Sequence, residues 1–236
     1  DESVQLTENS RGYQIHLVVY EGPQYKIREI SWAGNYIHSD EELMHRLHYN
    51  SGDIFIENEF NMAITERVSP LYTDKGYFYF QINPTYTPID DDSLDIHFEI
   101  VENQIVYIRK ININGNEKTY DNVIRRELRV YPGDIFSRKK LMDSYRDIFM
   151  LNFFENVMPD ILPVSDDEID IQLDVIEKNT GQANLSMGYN GIQGFTGGGG
   201  FEFPNFRGRG QTLSINYQRG LNANSNSAFG GGTASG

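Results

Sequence analysis

The sequence predicts an α+β chain in which tandem β-α-α-β-β domains are followed by the first antiparallel strands of a transmembrane β-barrel. Three observations carry this: an internal repeat with a fixed step of 81 residues, helical and strand periodicities alternating inside each repeat, and a change to strict period-two amphipathicity from Gly181 onward.

The repeat sets the organisation. Gly52-Asp53-Ile54-Phe55 returns as Gly133-Asp134-Ile135-Phe136, Gly34-Asn35 as Gly115-Asn116, and Ile27-Arg28 as Ile108-Arg109. Asp40, Leu47 and Glu21 return as Asp121, Leu128 and Glu102, and every pair is 81 residues apart. Asp95 to Glu102 reads like Asp170 to Glu177, and Tyr13 to Glu21 has the same alternating shape. The expected domains are residues 1–22, the C-terminal hairpin of a preceding repeat; 23–102 and 103–179, two complete repeats; and 180–236, the start of an incomplete barrel.

Within the first repeat, Tyr25, Ile27, Ile30 and Trp32 make a β-rich run closed by the turn signal Gly34-Asn35. Ser39 and Glu42 have capping-box spacing, and Leu43 with Leu47 begins a helix of about three turns ending near Ser51-Gly52. Phe60, Ala63, Ile64, Val68 and Leu71 keep helical spacing to Gly76, with Pro70 placed to kink the last turns. Tyr77 to Thr87 and Leu94 to Val101 alternate with period two around Asp90-Asp91-Asp92 and predict a hairpin. The second repeat follows the same plan: strand Tyr107 to Ile113, helices Asp121 to Val130 and Arg138 to Leu151, then strands Glu155 to Leu162 and Ile169 to Ile176. The apolar positions of its helices are Val123, Ile124 and Leu128, then Leu141, Tyr145, Ile148 and Phe149. Two helices with one apolar stripe each cover one face of a three-stranded sheet, leaving an open face and an open edge.

Beyond Gly181, Ala183, Leu185, Met187 and Tyr189 alternate with Gln182, Asn184, Ser186 and Gly188, and Leu213, Ile215 and Tyr217 alternate with Thr212, Ser214 and Asn216. Phe201, Phe203 and Phe206 form a third segment between Gly197 to Gly200 and Gly208-Arg209-Gly210. Strands apolar on one side, polar on the other and rich in aromatics are the pattern of an outer-membrane barrel wall. Three strands are a piece of one, since bacterial barrels close with eight or more.

Composition narrows the function classes. The 236 residues carry 34 acidic and 20 basic side chains, a formal charge of -14, which disfavours nucleic acid as a partner. Cysteine is absent, removing disulfide frameworks, thiolate zinc sites and thiol nucleophiles. The longest apolar candidate, Ile148 to Phe154, contains Asn152 and is far short of the ~20 residues of a membrane-spanning helix. Asp1 is preceded by no initiator Met and followed by no secretory leader pattern, so the chain is expected to start after processing or inside a longer protein.

Gly115-Asn116, Val123-Ile124-Arg125-Arg126-Glu127-Leu128, Gly133-Asp134 and Asn152-Phe153-Phe154, followed by Gly181 to Tyr189 and Gly208-Arg209-Gly210-Gln211, resemble the Omp85 superfamily and, within it, the outer-membrane assembly factors. The resemblance covers essentially the whole chain. It implies POTRA domains in the periplasm of a Gram-negative bacterium, attached to a 16-stranded barrel that folds other barrel proteins into the outer membrane. The lid-loop motif and the final seam strand of that family lie beyond Gly236, and the 81-residue step is long for a POTRA unit, with most of the extra length around Pro84 to Asp92.

No catalytic, cofactor or metal constellation emerges. His45 and His48 have i, i+3 spacing near His38 but no evident third ligand. Asp90-Asp91-Asp92 and Asp166-Asp167-Glu168 read as solvated turns, since EF-hand spacing and its glycine are missing. The two glycine-rich stretches precede no helix and do not suit a phosphate cradle; close strand packing or turns explain them better.

Three surfaces are candidates instead. Exposed hairpin strands, Tyr77 to Tyr86 with Tyr77, Tyr79 and Gln81, or Glu155 to Leu162 with Glu155 and Val157, could accept an extended client by β-augmentation, although Pro84 and Pro88 could equally serve only to blunt an edge. Arg125, Arg126 and Glu127 form a charged helix patch. The resemblance implies that this region contacts a periplasmic lipoprotein, whereas charge runs by themselves read as a solvated face. Gln182, Asn184, Leu185, Ser186, Met187 and Tyr189 form a first barrel strand, with either an edge at the seam or permanent pairing in the wall. The expected partners are nascent outer-membrane barrel proteins, lipoproteins of an assembly complex and outer-membrane lipid. Two alternatives stand beside this: a two-partner secretion transporter, which typically carries two POTRA domains where Tyr13 to Glu21 suggests a third, and an acidic secreted enzyme, which needs carboxylates converging in a cleft.

Overall fold

A β-α-α-β-β order runs twice through the computed structural model, which describes residues 3–9, 12–18, 23–90, 92–190 and 194–221. Strands β1 (Ser3–Asn9) and β2 (Gly12–Val18) pair as an antiparallel hairpin ahead of the repeats. The expected run to Glu21 continues past β2 into residues 19–21, outside the described residues. The described residues fall into two compact units: one ends at Tyr72 and adds Tyr79–Asn103, and the other joins Thr73–Phe78 to the chain from Gln104 onward.

In the first unit, β3 (Lys26–Ala33) is followed by α1 (Asp40–Leu47), α2 (Glu57–Ala63), α3 (Ser69–Thr73), β4 (Gln81–Asp90) and β5 (Ser93–Val101). The sheet order is β3-β5-β4, with β5 parallel to β3 and antiparallel to β4. Leu94, Ile96, Phe98 and Ile100 of the central strand are buried under Leu43, Leu47, Phe60 and Val68 of the helical layer. The second unit repeats this with β6 (Tyr107–Asn114), α4 (Asp121–Arg125), α5 (Arg138–Met150), β7 (Phe154–Pro163) and β8 (Glu168–Glu177), in the order β6-β8-β7. There Ile169, Ile171, Leu173 and Val175 take the central positions. The alternating burial along β5 and β8 leaves one face of each sheet uncovered by helix, as period two requires.

Each repeated motif has a structural duty. Gly34 and Gly115 adopt φ of +81° and +84°, and a Cβ at either would overlap the carbonyl oxygen of Ile100 or Val175 on the neighbouring strand. The following Asn35 and Asn116 donate through Nδ2 to the carbonyls of His38 and Thr119, both at 3.0 Å, closing the turn. Glu102 then accepts the Ile37 amide at 2.9 Å, and Glu177 accepts the Lys118 and Thr119 amides at 2.9 and 2.6 Å. The Gly-Asp-Ile-Phe segments run beside β3 and β6: Gly52 and Gly133 donate to Ile27 and Ile108, while Phe55 and Phe136 donate to Tyr25 and Val106. Arg28 and Arg109, at bulges in β3 and β6, make paired contacts with Asp95 and Asp170.

Several element boundaries differ from the sequence reading. Helix α1 has eight residues rather than three turns, because His48 enters the left-handed region at φ 59° and its amide closes on Met44. In the second helix a π-helical stretch, Ile64–Val68, precedes Pro70, with the Ser69 amide bonded to Ile64 five residues back. That extra residue rotates the helix face, so Tyr72 is buried where Leu71 was expected. Helix α4 stops at Arg125 instead of Val130, since Glu127 and Leu128 donate to Ile124 and Arg125 in tighter turns. Phe149 of α5 is exposed rather than in the core.

Strand β4 begins at Gln81, so Tyr77 and Tyr79 precede the strand in which they were placed. Phe78 of that lead-in packs edge-on against Phe136 in the second unit.

Candidate functional site

From Gly181 the polypeptide forms a three-stranded antiparallel sheet of β9 (Gln182–Asn190), β10 (Gly194–Phe203) and β11 (Leu213–Leu221), in the order β11-β10-β9. Gly197 to Gly200 lie inside β10, so of strand packing and turns it is the strand position that they take. Register places Leu185 opposite Gly199, Tyr189 opposite Phe195 and Phe201 between Ala183 and Ile215, so every large apolar residue of the three strands shares one face. That face is uncovered: Leu185, Met187 and Tyr189 are 86%, 85% and 70% exposed. Gln182, Asn184, Ser186, Glu202, Ser214, Asn216 and Gln218 share the other face. Gly200 leaves space there, because a Cβ would collide with the side-chain oxygens of Asn184 and Asn216. Arg219, opposite Gly197, is the one charged residue that the register adds to the apolar face among the described residues.

A built junction links this sheet to the preceding repeat. The turn after β10 places Asn205 at φ 58° and Gly208 at φ +73°. Asn205 donates through Nδ2 to the Thr119 hydroxyl at 2.8 Å and accepts the Gly210 amide at 2.8 Å through Oδ1. The Tyr120 amide donates to the Gly208 carbonyl at 2.9 Å, and a Cβ on Gly208 would overlap the Lys118 carbonyl. Thr180 closes the strand entry by donating its hydroxyl to Pro204 at 2.9 Å. Glu177 secures the same loop from beneath. Burial works to raise its carboxyl pKa, but hydrogen bonds from the Thr119 hydroxyl and from the Lys118 and Thr119 amides outweigh burial and hold it below the usual range.

Arg125, Arg126 and Glu127 occupy the end of α4 and the turn after it, but they do not form one free patch. Arg125 pairs with Asp121 at 2.5 Å and donates to the Ile111 carbonyl at 3.3 Å. Arg126 pairs with Glu127 at 3.0 Å, and its guanidinium lies where a Cβ on Gly210 would stand. Arg126 is therefore shared between the helix end and the sheet junction.

The sheet edges also have definite chemistry. Strands β4 and β7 each end their sheet, so one side of each backbone is unpaired by another strand among the described residues. Pro84 and Pro88 of β4 lack an amide hydrogen and face Phe98 and Leu94, which places their nitrogens on the free side. Pro159 and Pro163 of β7 do the same opposite Leu173 and Ile169. In β7 the predicted position Glu155 lies at a bulge, and the Val157 side chain is buried in the core.

The histidines and turn acids have local partners. His38 is buried with Nδ1 2.7 Å from Glu42, and the His45 and His48 rings meet edge-on at 5.9 Å. Ser165 donates to Asp167 at 2.8 Å and Ser93 to Asp90 at 3.4 Å, while Asp91 lies outside the described residues. Asp95 and Asp170 are held below the usual carboxylate range by hydrogen bonds from Arg28 and Arg109.

The sequence reading missed the Asn205–Thr119–Glu177 junction. Asn205 and Thr119 are 86 positions apart, and no local pattern connects them.

The sequence model of the POTRA family, described as "Surface antigen variable number repeat", matches residues 25–103 and 106–178. The chain is 30% identical over 209 residues to the outer membrane protein assembly factor BamA of Nitratidesulfovibrio vulgaris, covering 86% of this chain and 26% of that protein. It is 31% identical over 219 residues to a putative outer membrane protein assembly factor of Treponema pallidum, covering 88% and 25%. The chain thus spans about a quarter of the length of these curated relatives. The crystal structure of BamA from Haemophilus ducreyi lacking POTRA domains 1-3 is similar with a TM-score of 0.72 and 28% identity, over 83% of this chain and 37% of that one. POTRA3-5 of Haemophilus influenzae BamA shares the fold with a TM-score of 0.63 at 23% identity, over 75% and 71%.

Proposed function

As this chain belongs to the POTRA family, we propose that it is the membrane-proximal part of an outer-membrane protein assembly factor. In this reading residues 23–102 and 103–179 are periplasmic POTRA domains, 1–22 close a preceding one, and 180–236 begin a barrel in the outer membrane of a Gram-negative bacterium. One observation carries the proposal: the sheet that follows the second repeat directly carries an exposed, predominantly apolar face, with Leu185, Met187, Tyr189, Phe195, Ile215 and Tyr217, on which Arg219 opposite Gly197 is the one charged side chain among the described residues. In water such a face is a liability; against lipid it is the stable arrangement.

The mechanism is transfer between environments. Extended, unfolded barrel proteins pair with exposed backbone of the repeats, and β9, whose far side no described strand covers, offers a template edge at the start of the wall. No covalent bond changes, and neither metal nor cofactor is required. Arg125, Arg126 and Glu127 are the proposed contact for a periplasmic lipoprotein of the assembly complex, with Arg126 sensing both that partner and the junction. The β1–β2 hairpin ahead of two full repeats supports this reading over a two-partner secretion transporter.

Reconstitution tests it. The intact protein is placed in phospholipid vesicles, a urea-unfolded outer-membrane barrel protein is added, and protease protection reports insertion. Acceleration over empty vesicles is expected; its absence with correctly inserted protein would overturn the proposal.

A further inference from the structure

We propose that the two repeats divide the work of client capture unequally: the β7 edge is closed by its own side chains, and extended clients pair with the β4 edge. This rests on the edge-pairing reading above and assigns its location.

The argument is an accounting of edge donors. In a strand, successive amides point to opposite sides, so Pro159 and Pro163 identify the free-side positions of β7 as 157, 159, 161 and 163. Two of the four lack a hydrogen. The others are occupied: the Val157 amide donates to Asn156 Oδ1 at 2.9 Å, and the Ile161 amide donates to Asp160 Oδ1 at 2.9 Å. An Asn or Asp side chain is short enough to bend onto the next amide, which makes it a backbone competitor. From Val157 to Pro163 the β7 edge therefore offers an incoming strand no unengaged backbone donor.

By the same rule Pro84 and Pro88 place the free-side positions of β4 at 82, 84, 86 and 88. The preceding residues here are Gln81, one methylene longer than Asn, and Thr85, with no carboxylate. Neither reproduces the self-capping ring, so Ile82 and Tyr86 retain outward donors. The other edges of the two repeat sheets contribute less, because the Gly-Asp-Ile-Phe segments already bond the first halves of β3 and β6. An incoming segment would meet four carbonyls and two amides along β4. The favoured client is thus an extended, proline-free segment whose own amides supply most of the bonds, as a barrel strand does.

The absence of cysteine makes the test direct. Thr87→Cys in β4 and Leu162→Cys in β7 are at matching exposed positions, one residue before Pro88 and Pro163, and each is offered a synthetic peptide alternating Thr and Tyr about one central cysteine. Disulfide capture is expected to be about tenfold higher at Thr87→Cys. Adding Asn156→Ala and Asp160→Ala to Leu162→Cys should raise capture there by a similar factor and speed hydrogen exchange at Val157 and Ile161. Equal capture at the two edges of the otherwise unaltered chain would overturn the assignment. Failure at Thr87→Cys and also at the uncapped β7 edge would instead overturn edge pairing itself.

Discussion

The side-chain amide of Asn205 donates to the hydroxyl of Thr119 at 2.8 Å, tying the turn between β10 and β11 to the loop that leaves β6. Because Thr119 also bonds Glu177 at the end of β8, three segments far apart in sequence meet at one threonine.

Asn205→Ala should loosen this junction. It removes two hydrogen bonds, each contributing about 1 kcal/mol, and puts alanine in the left-handed region that asparagine tolerates. Hydrogen exchange at Tyr120, whose amide donates to Gly208, is expected to accelerate about tenfold or more. Unchanged exchange at Tyr120 would show that the tie carries no energy.

Acid should weaken the same loop. A carboxyl held below its ordinary value of 4.5 in the folded state contributes stability that is fully present above that value and lost as pH falls through the lowered folded one. Urea titrations of the native chain from pH 7 into that acid range should show falling stability, and Glu177→Gln should be less stable at pH 7 with a flatter acid limb. A variant with the native acid limb would remove Glu177 from the explanation.

Tyr72→Ala should destabilise the first repeat by about 3–5 kcal/mol, and Leu71→Ala by clearly less, measured by denaturant unfolding monitored at the single Trp32. The reverse order would mean that the π-helical stretch does not reset the buried face.

If β9–β11 face hydrocarbon, Leu185→Arg in the intact protein should lower membrane stability by about 2–4 kcal/mol near the bilayer midplane, whereas Ser186→Arg on the polar face should change it far less. Folding titrations in lipid vesicles distinguish the two. Equal penalties would argue against a lipid-facing wall.

Much of the architecture was legible because it is periodic. Gly34 and Gly115, 81 positions apart, announced equivalent turns, and the alternation around Leu185 and Ile215 announced a two-faced sheet. Boundaries were less legible where one residue changes phase. The π-helical stretch before Pro70 exchanged Leu71 for Tyr72, and the left-handed His48 shortened α1, because both depend on which backbone bond wins locally. Tyr77 and Tyr79 read as strand from their alternation, yet β4 starts at Gln81.

Sequence alone determined the duplicated β-α-α-β-β plan and the amphipathic strands after it, since side-chain periodicity is a local property imposed by backbone geometry. Tertiary structure alone decided that Arg126 reaches the Gly210 turn, that Asn205 meets Thr119, and that Asn156 and Asp160 close the β7 edge. Those outcomes depend on which strand lies at the edge of a sheet and which turn lies beside which loop. Chain-distant backbone groups find or lose their partners only when the sheets have assembled.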